Sequence, residues 1–370
     1  MSEEQDLSNN ALPGANESVS PSISWDSGTA YDLFMSLAVL HNPERHGLRA
    51  SWAAGVRSRL PSGERKTLET ADALEIFPLH WIYALPEPKD AASAIWALRQ
   101  VPAADRLSVL TFRGTETSAV ADILQDVAKR RSWDEQDQEK LRSAFRQKDH
   151  EIPRAKTMAK ILDAWSAPDV FGENYLAALQ SYHNAFFAEE EKQIVSALQE
   201  SLENARRLAD RVSLDDLVDE LSQGVHLKEL SDTQEVVLVP SYWISPLILF
   251  KKISTKKTLL LFGGRPPNVS LVAGEMVPDQ LLRMLKAMAD PTRLRILHYL
   301  AHGELTPSQL ARRLRLRAPT VTHHLNTLRL AGLVRLTLEA KGERHYAARL
   351  EALDSMDASL REFLESDQDK

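Results

Sequence analysis

The sequence predicts a mainly α-helical chain in two parts: a large helical N-terminal domain with a small β meander, then a compact C-terminal unit of short helices closed by a strand pair. Three observations carry this. Over residues 27–230 glycines are sparse and apolar residues recur at three- and four-residue spacing, the period of helices that bury one face. Over residues 235–262 the pattern changes to short runs of Val, Ile, Leu and Phe. Charge is also divided. Residues 278–350 hold 13 Lys and Arg against 5 Asp and Glu, a net +8, and residues 351–370 hold 2 against 7, a net −5; the total of −7 leaves −10 for residues 1–277.

Length and composition set the limits. A chain of 370 residues, 43% hydrophobic and 26% charged, has the make-up of a globular protein with two or three domains. The absence of cysteine removes disulfides, thiolate zinc sites, iron–sulfur clusters and cysteine nucleophiles, and fits a reducing cytoplasm. No apolar run approaches the roughly 20 residues needed to cross a bilayer. The opening MSEEQDLSNNALPGANESVSPS is acidic and polar where a secretion signal would be basic and then apolar, so residues 1–22 are expected to form a disordered tail.

The first helix is expected at TAYDLFMSLAVLHN, before Pro43, and the next at LRASWAAGVRSRL, before Pro61. Tyr175, Leu179, Tyr182, Phe186, Ile194, Leu198, Leu202 and Leu208 space out as one stripe of a long helix. A short helix follows, with Ser213 as N-cap and Gly224 past its end. EVVLVPS, SPLILFKKI and KTLLLF then read as a strand meander, and GGRPPNVS marks a boundary. All seven tryptophans precede that boundary. Domains are expected at 23–270 and 271–370.

In the C-terminal unit, Leu281, Leu282, Leu285 and Met288 are expected on the buried face of one helix. Asp290 caps the next, PTRLRILHYLA, with Pro291 at its first position and Leu294, Leu297 and Ala301 expected inward. Thr306, Pro307 and Gln309 lay out a capping box for a third helix that buries Leu310, Ala311 and Leu314. The stretch APTVTHHLNTLRLAGLV is a fourth. At 100° per residue Val321, Leu325 and Leu328 fall within about 60° of one another and face the core. Pro319, Thr322, His323 and Asn326 point away, and His324 sits on the buried flank. Two short helices joined tightly, the second exposing hydroxyl, amide and imidazole groups near its start, make a helix-turn-helix suited to base edges in a major groove. VRLTL and RHYAA, turned through Gly342, read as a β-wing. Arg312, Arg313, Arg315 and Arg317 crowd the turn before the reading helix.

Taken in order, DPTRLRILHYL, ELTPSQLARRL, APTVTHHLNTLRLAGLV and the wing ending in RHYAA resemble the winged helix-turn-helix of the ArsR family of bacterial transcription regulators, over about residues 275–370. The resemblance implies a homodimer that binds an imperfect palindrome of double-stranded DNA, usually as a repressor released by an effector. It places the base-reading face at Thr320, Thr322, His323 and Asn326. Arg315, Arg317 and Arg329, with Lys341 and Arg344 of the wing, are the candidate backbone contacts. Two departures bear on control. The start of the third helix, ELTPSQL, has no thiolate, and LEALDSMDASLREFLES has no histidine, so metal sensing is not expected. Arg317 stands where the reading helix usually has a capping serine.

Blander roles compete with each of these. Adjacent helical side chains diverge by about 100°, so His323 and His324 are poorly placed to chelate one ion, and DNA contact by His323 is the preferred reading. His298 and His302 have the i, i+4 spacing of a metal pair but no HExxH companion, and solvent exposure is preferred. Leu350, Leu353, Met356, Leu360, Phe363 and Leu364 form a stripe on the last helix. A core role competes with a dimer seam, and the seam, through Leu353, Met356, Leu360 and Phe363, is preferred. The N-terminal domain carries no phosphate loop, GxSxG elbow or catalytic acid pair, and FGGRPP is too sparse to count as one. No enzyme activity and no cofactor are expected. A sensor for a small molecule, a dimerisation platform and a docking surface stay open for this domain. A protein-interaction adaptor and an enzyme tethered to a DNA-binding unit are the rival readings of the whole.

Overall fold

The structure is a computed structural model that describes residues 21–46, 48–74, 76–112, 118–147, 153–227, 230, 233–266, 269, 277–338 and 343–365. The chain enters through β1 (Ser22–Trp25) and α1 (Thr29–His41). Among the described residues eight helices follow: α2 (Ala50–Ser58), α3 (Ser62–Ala73), α4 (Leu79–Ala84), α5 (Ala91–Gln100), α6 (Ala103–Thr111), α7 (Ala119–Arg130), α8 (Glu135–Gln147) and α9 (Ala155–Ser166). Next come α10 (Pro168–Tyr182), a π-helical turn (His183–Phe187), α11 (Ala188–Ala209) and α12 (Leu214–Leu221). The strands β2 (Val225–Leu227), β3 (Glu235–Ser241), β4 (Leu249–Lys252) and β5 (Lys257–Gly263) precede the C-terminal unit. That unit holds α13 (Asp279–Met288), α14 (Pro291–Leu300), α15 (Pro307–Leu314), α16 (Ala318–Leu330), β6 (Val334–Leu338), β7 (Arg344–Ala348) and α17 (Glu351–Glu365).

The mainly α prediction holds, but the meander does not. The sheet order is β1-β3-β5-β4, with β1, β3 and β5 parallel and only β4 antiparallel. Strand β5 therefore wedges between β3 and β4. The cause is burial on both faces. Val237, Val239, Leu259 and Leu261 pack into the large helical core around α1, whereas Val236, Leu238, Leu260 and Phe262 pack into a second core under α11 and α12. Strands covered on both sides read as continuous apolar runs and sit at the centre of parallel sheets. The expected tail is also shortened: Ser22 already pairs with Glu235 as the first residue of edge strand β1, and residues 1–20 lie outside the described residues.

Helix α1 is buried almost all round, as befits a central element. The long stripe exists, but it is carried by α10, the π-helical turn and α11 in succession. The wider turn re-aims the stripe, so that Phe186 and Phe187 are both buried before Ile194 and Leu198 resume the contact. Ser213 caps α12 by accepting from the Asp216 N–H, and Gly224 follows with φ +101°.

Strand β2, from the N-terminal region, pairs in parallel with wing strand β6 and makes the wing a three-stranded sheet of order β2-β6-β7. The Leu336 N–H donates to the Gly224 carbonyl at 2.7 Å. Alongside, Arg335 of β6 donates to both carboxylate oxygens of Asp219 on α12, at 3.2 and 3.1 Å, and His226 Nε2 lies 3.2 Å from the same carboxylate. A side chain at Gly224 would meet Arg349 Cδ at 2.6 Å and the Arg335 backbone at 3.2 Å, so the close approach of the two regions requires glycine.

Two faces of the C-terminal core differ from expectation. In α13 the buried stripe is Leu281, Met284 and Ala287, and Leu285 is 39% exposed. In α14 Ile296 and Leu300 are buried while Leu294 is 46% exposed and Ala301 is exposed. Each helix offers two apolar stripes about one residue apart, and the choice follows the neighbours, α16 and α17 for α13 and α16 and β7 for α14, rather than local pattern.

Candidate nucleic-acid interface

The interface is built from α15 outwards. Thr306 Oγ1 accepts from the Gln309 N–H at 3.3 Å and Gln309 Oε1 accepts from the Thr306 N–H at 2.8 Å, a reciprocal box that starts α15. Arg315 ends it in a left-handed conformation, φ +57° and ψ +42°, and the Leu316 N–H reaches back to the Ala311 carbonyl at 3.0 Å. This tight reversal delivers the chain to α16, where Val321, Leu325 and Leu328 are fully buried.

The opposite side of α16 is open. Pro319, Thr320, His323 and Asn326 are exposed. Thr322 is half-buried and its hydroxyl donates to the Ala318 carbonyl at 3.0 Å. Arg317 is the N-cap but makes no side-chain cap hydrogen bond, so its side chain does not close the start of the helix, the end that attracts phosphate. Arg312, Arg313, Arg315 and Arg317 are exposed around the turn, and Arg313 stacks over Tyr299, 5.7 Å from the ring centre. Arg344 is exposed at the start of β7, whereas Lys341 and Gly342 lie outside the described residues.

Arg329 is placed differently from the other arginines. It is half-buried, and its buried Nε has no hydrogen-bond partner among the described residues. Burial lowers its affinity for its proton; Tyr346 counters and Arg344 adds to the effect. His324 sits on the buried flank: its Nδ1 is buried without a partner among the described residues, and burial holds its pKa below the ordinary imidazole value against the pull of Asp290. His298 and His302 are exposed, with His302 Nδ1 2.7 Å from the His298 carbonyl oxygen. Among the described residues no three His, Cys, Asp or Glu gather where they could hold a metal ion.

The stripe on α17 is split. Leu353 and Met356 pack half-buried against the C-terminal core, where Ala352 is buried; Leu360 and Phe363 are half-buried, and Leu350 and Leu364 are 56% and 71% exposed. The first turns thus serve the unit's own core, and the later ones extend an apolar edge outward. Sequence reasoning missed β2 and the Asp219–Arg335 pair. A three-residue strand gives too little pattern to find, although Arg335 in the middle of an apolar strand was a visible oddity.

Short helices joined by a tight turn, an open polar face and a β-wing define the C-terminal unit as a winged helix-turn-helix. Residues 290–335 match the model of the arsR family of bacterial regulatory proteins. The HTH-type transcriptional regulator CmtR of Mycobacterium tuberculosis is 45% identical over 74 residues, 20% of this chain and 63% of that protein. The arsenical resistance operon repressor of Staphylococcus xylosus is 36% identical over 90 residues, 24% of this chain and 85% of that protein. A solved structure, reduced HlyU from Vibrio cholerae N16961, is similar over 24% of this chain and 90% of its own, with 32% identity and a TM-score of 0.19. Through this unit the chain belongs to the arsR family of bacterial regulatory proteins. It spans 63% of the length of the CmtR proteins it matches, and the similarity to them covers 20% of this chain. Among the described residues no helix is long and apolar enough to cross a membrane.

Proposed function

We propose that the protein is a cytoplasmic, dimeric, sequence-specific regulator that binds double-stranded DNA, acts as a repressor at an imperfect palindrome, and is controlled through its N-terminal domain (residues 23–270) rather than by thiolate metal sensing. The observation that carries this reading is the open face of α16: Thr320, His323 and Asn326 exposed, with Arg315, Arg317 and Arg344 exposed around them. Imidazole and carboxamide groups can pair with base edges in the major groove, and the arginines fix register on phosphates. The half-buried Thr322 and Arg329, with Lys341 of the wing, complete the proposed DNA-binding set. The apolar edge of α17, from Leu353 and Met356 to Leu360 and Phe363, is the proposed dimer seam, which sets two reading helices about 34 Å apart. The absence of cysteine from the chain favours control by something other than thiolate-bound metal.

Fluorescence anisotropy with the upstream region of the protein's own coding sequence tests it. His323→Ala with Asn326→Ala should weaken the specific site at least tenfold and leave random duplex nearly unchanged. Arg317→Gln should weaken both and reduce the salt slope by about 0.9. Equal losses on both duplexes from the His323 and Asn326 pair would refute base reading.

A further inference from the structure

The pair Gly263 and Gly264 has no role in the winged unit, yet it stands at the carboxyl end of β5, an interior strand parallel to β3, where open parallel sheets take their ligands. A Cβ at Gly263 would lie 2.6 Å from Ser245 Oγ, and one at Gly264 would lie 3.1 Å from Leu198 Cδ2. A side chain at Gly263 would force Ser245 to shift, and one at Gly264 would need Leu198 to give by a few tenths of an ångström. A cleft of about 280 Å³ opens beside them, between this turn and the helices α11 and α12, near the lower end of the roughly 300–1,000 Å³ range of ligand sites. Ala197, Leu208, Leu221 and Pro266 give it apolar walls, and Glu200, Ser201 and Asn204 line one side.

Arg265 is the only cation that lines the cleft among the described residues. Its Nη1 is buried with no hydrogen-bond partner among the described residues, its Nη2 reaches the Ser245 carbonyl only at 3.4 Å, and its guanidinium lies over the Tyr242 ring. Arg283 of α13 is close enough for its charge to oppose that of Arg265, and its own Nε is buried without a partner among the described residues. Burial first, and then Arg265, push Arg283 down to about 10. Asp279 is the carboxylate that acts on both. Two half-buried cations thus share one carboxylate, and an unsatisfied buried donor of this kind calls for a partner, whether a water, an ion or a ligand.

We propose that this cleft binds a small, largely apolar carboxylate, with its anionic end on Arg265 and its body against Leu208 and Leu221. One guanidinium, with Glu200 on the opposite wall, suits a monoanion better than a phosphate dianion, which needs several converging donors. The walls lead directly into the DNA-binding unit. Leu221 ends α12 three residues before Gly224, whose carbonyl holds the wing strand, and Arg265 acts on the first helix of the winged unit through Arg283. The regulatory use of the site rests on the reading that the N-terminal domain controls DNA binding.

The test uses the full chain and a graded series of acids (butyrate, benzoate, phenylacetate, 1-naphthoate), each against its neutral amide and against inorganic phosphate. At saturation at least one acid should raise Tm by about 3 °C over its amide. Arg265→Gln should abolish the gain, and so should Ser201→Met, which fills the cleft from its accessible wall if the arginine variant fails to fold; Arg317→Gln should keep it. No acid exceeding its amide, a larger gain with phosphate, or a full gain in both cleft variants would overturn the site. Duplex anisotropy with the same acid separates the two claims: a Tm gain with unchanged duplex affinity supports the site and removes control through the N-terminal domain.

Discussion

Replacing Asp32 with asparagine should stabilise the protein at neutral pH. Asp32 is fully buried in α1, where Oδ1 accepts from the Ser241 hydroxyl at 2.7 Å and from the Trp243 N–H at 3.0 Å, and Oδ2 is buried without a partner among the described residues. Burial raises its pKa from 3.8 to about 6 against the hydrogen bonds from Trp243, Ser241 and Tyr242. The folded state therefore holds this proton more tightly than the unfolded chain. Below pH 3.8 both states are protonated and the group is neutral in its effect. As pH rises from about 4 to about 6 the unfolded chain ionises first and stability falls; above about 6 the loss is complete. A rise of about two pKa units corresponds to roughly 3 kcal/mol at pH 7. Asparagine keeps the acceptor at Oδ1 and cannot ionise, so Asp32→Asn should gain up to about 3 kcal/mol at pH 7, and the difference should vanish near pH 4. Urea unfolding followed by tryptophan fluorescence at pH 4, 5, 6 and 7 reads both. A variant less stable than the parent at pH 7, or a difference that does not change with pH, would refute the reasoning.

The Asp219–Arg335 pair that ties α12 to the wing should show a coupling of about 1–2 kcal/mol in a double-mutant cycle with alanine, because its two hydrogen bonds are charge-assisted and Asp219 is buried; additive effects would remove it as a link. Gly224→Ala should cost about 1–3 kcal/mol, from its φ of +101° and the 3.2 Å approach to the Arg335 backbone, and should raise amide exchange in β6; unchanged exchange would mean the wing does not depend on β2. Glu191 joins the starts of α1 and α5, accepting from the Thr29 hydroxyl and from the Ala91 N–H at 3.0 Å, with His183 Nε2 at 3.6 Å. Burial works to raise Glu191, but the hydrogen bonds from His183, Thr29 and Ala91 lower it overall, and the bond to Glu191 raises His183. The lowered acid stabilises above its ordinary 4.5 and loses this as pH falls; the raised histidine stabilises below its ordinary 6.5 and loses this as pH rises. Glu191→Gln should thus cost most, about 1–3 kcal/mol, between those values, and a loss that grows steadily towards pH 9 would contradict the pairing.

Local chemistry made the reading unit legible. The Thr306–Gln309 box, the Asp290 cap and the Val321, Leu325 and Leu328 stripe are each decided within one or two turns, and each stands as the spacing predicted. What required the whole fold was less visible. KTLLLF does not say that it lies between β3 and β4, parallel to one and antiparallel to the other, because a strand buried on both faces has no alternation to read. SISW and VHL are too short to outweigh their surroundings, yet one edges the main sheet and the other completes the wing. Leu294 and Ile296 compete for one core position on α14, and packing chose Ile296. Arg329 is expected among the DNA-binding residues from its place on α16, and the half-burial of its side chain, with Nε buried, is not legible from that spacing.

Methylation interference on the upstream fragment tests the central claim most directly, because dimethyl sulfate marks guanine N7 in the major groove and adenine N3 in the minor groove. If the α16 face enters the duplex, N7 methylation should block binding in two clusters about one helical turn, or a whole number of turns, apart. Interference confined to adenine N3, or none at either position, would contradict it.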